Sequence, residues 1–115
     1  PVGRWLAVQS SSGTDAALAY VTNYQNAPVG LLLQDVPPPP EGSIYRLWHV
    51  HADDSVLAGP TFQPDAENSA ALALAARGGG EVVGFAVSVE PRSAGAIATP
   101  ESPTRDAIRY TIGLE

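Results

Sequence analysis

His49-Val50-His51, followed by Asp53 and Asp54, is the one spacing in this 115-residue chain with the form of a metal site. Alternate side chains of a β-strand point to the same side, so an H-x-H pair presents two imidazoles together. Zinc and copper accept such nitrogen pairs when further ligands complete the shell. The chain has only these two histidines and no cysteine. The reading is therefore a solvent-facing pair at a strand end, with no metal and no cofactor.

Other chemistries have less to stand on. The H-x-H of cupins is followed four or five residues on by a glutamate, where Ser55 and Val56 stand here. No G-x-S-x-G elbow marks a nucleophile. Asp53, Asp54, Asp65 and Glu67 fall in turn-forming stretches, where carboxylates are ordinary solvated or turn-making groups. Gly78-Gly79-Gly80 lacks the Lys-Ser/Thr that completes a phosphate loop. No catalytic residue is assigned, and the chain is not read as an enzyme.

Charge narrows the partners. Twelve acids stand against six bases, all of them arginine, for a net charge of −6. Phosphate binding needs a basic face, so nucleic acid is excluded as a partner. Anionic membrane surfaces are disfavoured on the same ground. No stretch approaches the ~18 apolar residues of a membrane span. The opening Pro1-Val2-Gly3-Arg4 lacks signal-peptide form, so this chain is not expected to insert into a membrane and any anchor lies outside it. The missing cysteines exclude disulfides and thiolate sites but leave the redox compartment open.

The elements that would carry these residues read as strands. The expected segments are Arg4 to Val8, Ala16 to Tyr24, Val29 to Val36, Ser43 to His51, Val56 to Gln63, Ser69 to Ala76, Val82 to Glu90 and about Asp106 to Ile112. In the second, Leu18, Tyr20, Thr22 and Tyr24 share one face and Ala17, Ala19, Val21 and Asn23 the other. Asn23 to Pro28 reads as a loop. The run Leu31-Leu32-Leu33 suits a strand buried on both sides or near a sheet centre. Pro37 to Pro40 end that strand as a stiff connector. Gly59-Pro60 marks a bulge or an edge. The Ala-Leu segment at 69–76 has helix-favouring residues but strand spacing and length, and is assigned as strand. The long stretch from Arg92 to Arg105 is suited to cross from one sheet to the other.

About eight short strands separated by turn signals, with no repeat and no linker, describe an all-β, antiparallel two-sheet β-sandwich of Greek-key type, spanning 1–115 as a single domain. Leu32, Leu47, Phe85 and Val87 are expected in its core. Tyr45 and Trp48 fall on opposite faces of one strand, so one ring faces the core and the other is a candidate surface aromatic.

Three ordered motifs within residues 29 to 100 carry a family resemblance. Val36-Pro37-Pro38-Pro39-Pro40-Glu41-Gly42 leading into Tyr45-Arg46-Leu47-Trp48 resembles the L-P-P-L-P-x-G-x-x-Y-x-L-W signature of the C-terminal domain of anti-sigma-K factors. Ala58-Gly59-x-x-Phe62-x-Pro64-Asp65 is similar to the family's A-G-x-F-x-P-D step with one extra residue. Phe85 to Pro91 resembles V-A-V-T-x-E-P, and Thr99 falls nine residues after Glu90, as in the family. Ser93-Ala94 stand where the family usually has Gly-Gly, and Ala98 where it has proline.

The resemblance implies a β-sandwich on the extracytoplasmic face of the bacterial cytoplasmic membrane, in a single-pass, membrane-anchored anti-sigma factor. It implies that a sigma factor is held by a cytoplasmic segment absent from this chain, and that membrane proteases release it. The domain itself would sense a signal or gate that proteolysis. Pro37, Pro40, Gly42, Tyr45, Leu47, Trp48, Ala58, Gly59, Phe62, Glu90, Pro91 and Thr99 enter as structural markers, Glu90 as a carboxylate accepting backbone N–H bonds in the loop at 92–99. The competing reading is a secreted or cell-surface carbohydrate- or metal-binding β-sandwich.

Overall fold

A computed structural model of the chain describes residues 2–11, 17–24, 27–74, 81–95, 103 and 107–114, the side chains of Val2, Ala27, Ala94 and Gly95 excepted. Two antiparallel sheets form a sandwich. The strands in chain order are β1 (Val2–Leu6), β2 (Val8–Ser10), β3 (Leu18–Tyr24), β4 (Ala27–Gln34), β5 (Ser43–His51), β6 (Val56–Phe62), β7 (Ala70–Ala73), β8 (Val82–Pro91) and β9 (Ile108–Gly113). One sheet has the order β1-β3-β4-β7 and the other β2-β9-β8-β5-β6. A single helical turn, α1 (Arg92–Gly95), follows β8.

The alternation in the sequence explains the layers. Ala19, Val21, Leu31 and Leu33 from the four-stranded sheet meet Tyr45, Leu47, Phe85, Val87, Tyr110 and Ile112 from the five-stranded sheet in one buried cluster. Strands β5 and β6 pair in one sheet, while β7 returns to lie beside β4 in the other.

Several expectations change in detail. The expected strand at 4–8 is two strands, because the chain switches sheets at Ala7: β1 pairs with β3 and β2 with β9. Arg4 donates a side-chain hydrogen bond to the Leu114 carbonyl, tying the beginning of the fold to its end. The loop expected at 23–28 is largely strand, since Asn23 pairs with Pro28 and Tyr24 with Ala27. Leu32 is only half-buried and points away from the core. With a period of two, burying Leu31 and Leu33 turns Leu32 to the opposite face.

The stretch from Arg92 to Arg105 does not cross between sheets, because β8 and β9, which it joins, are neighbours in one sheet. Crossing is done by shorter segments, among them the proline run between β4 and β5. The Gly59-Pro60 step is both things expected of it. β6 is an edge strand of its sheet, and its register against β5 slips by one residue between Ala58 and Thr61.

Candidate functional site

The residues singled out by sequence converge on β5 and its surroundings. A turn prepares that strand: the Ser43 N–H donates to the Pro40 carbonyl at 3.0 Å, and Gly42 takes φ 81°. A positive φ at the third position of such a turn suits glycine. The Gly42 carbonyl in turn accepts the N–H of Arg92 at 3.0 Å, so this turn also anchors the exit from β8. Pro37 is fixed from below, its carbonyl accepting the Tyr45 hydroxyl at 2.6 Å. Tyr45 itself is fully buried and lies 5.5 Å, centroid to centroid, from Phe62.

On the opposite face of β5 the five-stranded sheet carries a second buried group. Trp48 has no exposed surface and packs with Ala58 and Ala86, bordered by Val50, Val56 and Ile108. Its indole N–H donates to the Ser88 hydroxyl at 2.9 Å. Arg46, also buried, donates from Nη1 to the Gly59 carbonyl at 2.7 Å. Gly59 is required there by close approach, since a Cβ would stand 2.9 Å from the Leu47 carbonyl oxygen.

Cross-strand pairing sets Ile44 opposite Glu90, Arg46 opposite Ser88 and Trp48 opposite Ala86. Directly opposed residues share a face, so Arg46 and Glu90, both buried, are diagonal neighbours in one row with Ser88 between them in register. Arg46 and Ser88 were not singled out by sequence. The only signal for either was its even spacing from Trp48 and Glu90. Pro91, the last residue of β8, is exposed and paired with Ser43. Thr99 lies outside the described residues.

Asp65, in the second motif, has a defined structural role. Its carboxylate accepts the backbone N–H groups of Glu67 and Ser69 at 2.9 and 3.0 Å, shaping the turn between β6 and β7. That turn in turn offers the Asn68 carbonyl to the N–H of Val36 at 3.0 Å.

The histidines are not solvent-facing. His49 and His51 are 4% and 5% exposed. His49 faces the inter-sheet core, edge-on to Phe85 at 5.5 Å between ring centroids. His51 Nδ1 lies 3.2 Å from the Ser55 hydroxyl. Asp53 accepts the Ser55 N–H at 2.9 Å rather than orienting the imidazole, an arrangement of a turn and not of a catalytic triad. Among the described residues no cluster of three His, Cys, Asp or Glu side chains is placed to hold a metal.

Hydrogen bonds from Ser55, aided by the nearby His51, hold the Asp53 carboxyl below its ordinary value of 3.8. A depressed folded-state pKa contributes stability above the unfolded value that is lost as pH falls through the folded one. Asp53→Asn is therefore expected to melt below wild type near neutral pH. The gap should close in acid below the ordinary carboxylate range, as read from thermal unfolding across pH.

No helix among the described residues is long and apolar enough to cross a membrane. The family model described as "Anti-sigma-K factor rskA, C-terminal" matches residues 3–106. No curated protein matches the chain, and no solved structure does.

Proposed function

The chain belongs to the anti-sigma-K factor C-terminal family, and from that premise we propose that it is the extracytoplasmic regulatory domain of a membrane-anchored anti-sigma factor, gating the proteolysis that frees the sigma factor. The family match over residues 3–106 carries this reading. The family is regulatory, and its members act on sigma factors. In the proposal, residues 1–115 form one domain with no catalytic role, and the sigma factor is held by a segment outside them.

Physical chemistry supports a gate. A protease needs an extended, accessible strand, and opening a strand paired on both sides and buried on both faces costs most of the global stability. β5 and β8 are such strands, each hydrogen-bonded to two neighbours. A folded sandwich also shields the stalk beside it by bulk alone. The motif residues then act as fasteners of the folded state: the Gly42 turn, the Tyr45 hydroxyl on Pro37 and the Arg46 bond to Gly59 all brace β5.

The test is deletion of residues 1–115 from the intact parent gene, followed by parent-protein half-life and a sigma-dependent reporter. A shorter half-life and higher reporter output are expected, while purified residues 1–115 retain no sigma factor in a pull-down. Unchanged half-life and reporter would leave the domain a passive or separate binding module.

A further inference from the structure

Residues 2–10 form a border of both sheets at once. β1 is an outer strand of the four-stranded sheet, paired with β3 alone, and β2 is an outer strand of the five-stranded sheet, paired with β9 alone. Ala7, exposed, carries the chain from one sheet to the other. The strand pairing that holds this segment therefore lies on one side of it only.

Side chains add little to that hold. Among residues 3–10 Leu6 alone is buried, with Val8 partly buried against the same core. Six of nine residues are buried in β5, three of seven in β6 and two of four in β7, so even the other edge strands β6 and β7 are seated more deeply. Trp5 rests edge-on against Tyr20 at 5.1 Å between centroids but stays 55% exposed. Segments with few buried apolar contacts open at a fraction of the global cost.

The rest of the sandwich does not depend on this segment for its pairing. With residues 2–10 lifted away, β3 keeps β4, β9 keeps β8, and the pairings of β4 with β7 and of β5 with β6 and β8 are untouched. A fastener reaches the segment from the other end of the chain. The exposed Arg4 side chain donates to the Leu114 carbonyl, and Leu114 is itself fixed by its N–H on the Val83 carbonyl at 3.1 Å. β1 is thus tied to the far sheet twice, through Ala7 and through this clasp beside the end of β9.

We propose that residues 2–10 are a strap that peels from both sheets as one unit, ahead of the rest of the sandwich, and that this peeling is the opening step of the gate. The second part rests on the reading of the domain as a proteolytic gate. Once peeled, the strap is an extended segment of about 30 Å at ~3.3 Å per residue, the form in which a protease takes a chain. β5 and β8 reach that form only at close to the cost of global unfolding, and cleavage follows the population of the open form. The clasp places the opening under the control of the end of β9: whatever displaces Leu114 loosens the strap.

Native-state hydrogen exchange of residues 1–115, read amide by amide, tests the peeling. The paired amides of β1 and β2 should show matching opening constants, at least ~100-fold larger than those of β5 and β8. Arg4→Ala should raise both by about 3- to 10-fold and leave β6 and β7 unchanged. The chain has no cysteine, so one disulfide can be added cleanly. Gln9→Cys with Thr111→Cys, at exposed and directly opposed positions of β2 and β9, should on oxidation lower the opening of β1 as well as β2 at least ~10-fold. Leu32→Cys with Ala71→Cys, joining β4 to β7, should leave it unchanged. Exchange of β1 no faster than that of β5, independent opening of β1 and β2, or equal suppression by both disulfides would overturn the strap. In the intact parent protein the β2–β9 disulfide should lengthen half-life at least ~2-fold and the β4–β7 disulfide should not. An unchanged half-life, where deletion of residues 1–115 still shortens it, would overturn the strap as the opening step and keep the gate. If the deletion changes nothing either, the gate itself falls and the strap's part in it with it.

Discussion

Truncating Leu47 to alanine is expected to lower the stability of the sandwich by about 2–5 kcal/mol. Leu47 has no exposed surface and belongs to the inter-sheet cluster. It lies mid-strand on β5, opposite Val87 of β8, where the backbone is held on both sides and cannot collapse into the space left. A cavity that cannot relax gives values toward the upper end of the range. Domains of this size have only about 5–15 kcal/mol to lose. Urea unfolding should therefore show a lowered midpoint with an unchanged slope. In the intact parent protein the same variant should shorten half-life and raise the sigma-dependent reporter. A lowered midpoint without a change in half-life would keep the packing argument and remove the gate.

Trp48→Ala should be as damaging, at about 3–5 kcal/mol, although it lies outside the inter-sheet core. Two separate losses combine: the indole body that fills the group with Ala58 and Ala86, and the donor to Ser88. Ser88 has no exposed surface, so its hydroxyl would lose a partner that water cannot replace. Trp48→Phe separates the two. It retains most of the ring and should cost about 1–3 kcal/mol, chiefly from the unpaired hydroxyl. Restoring stability with a second change, Ser88→Ala in the Trp48→Phe background, would identify that hydroxyl as the source. No recovery in the double variant would assign the loss to packing alone.

Much of the fold was legible because side-chain period and strand length spoke together. Ser43 to His51 was bounded by a turn signal on each side and is β5 with those same ends. The Ala19–Val21 and Leu18–Tyr20 faces of β3 separated as their alternation requires. The Ala-Leu stretch became β7 despite its helical composition, because pairing with β4 outweighs intrinsic propensity.

What was not legible depended on neighbours distant in sequence. Alternation puts Tyr45 and Trp48 on opposite faces, but it does not say that both faces of β5 are covered there. The same omission made His49 and His51 read as surface residues: polar type suggested water, while their position on a doubly flanked strand decided burial. Arg46 and Ser88 were hidden for a related reason, since their importance comes from register against β6 and β8 and not from local pattern. The split of the first strand is decided at Ala7 by which sheet offers a partner, and the identity of that partner, β9, lies a hundred residues away.

That last pairing governs when the fold can exist at all. β9 lies between β2 and β8, so β2 has no neighbour in its sheet until residues 108–113 are available. On a ribosome adding about 5–20 residues per second, Val8 to Ser10 wait roughly 5–20 s after their own synthesis for a strand to pair with. Through that interval the β3–β4 and β5–β6 hairpins can form from adjacent sequence, but the five-stranded sheet stays open between β2 and β8. A nascent chain that has not reached Ile108, or one that lacks residues 108–113, thus carries the open edges of β2 and β8 that β9 pairs with. Synthesis of β9, rather than any local step before it, is the event that closes the five-stranded sheet.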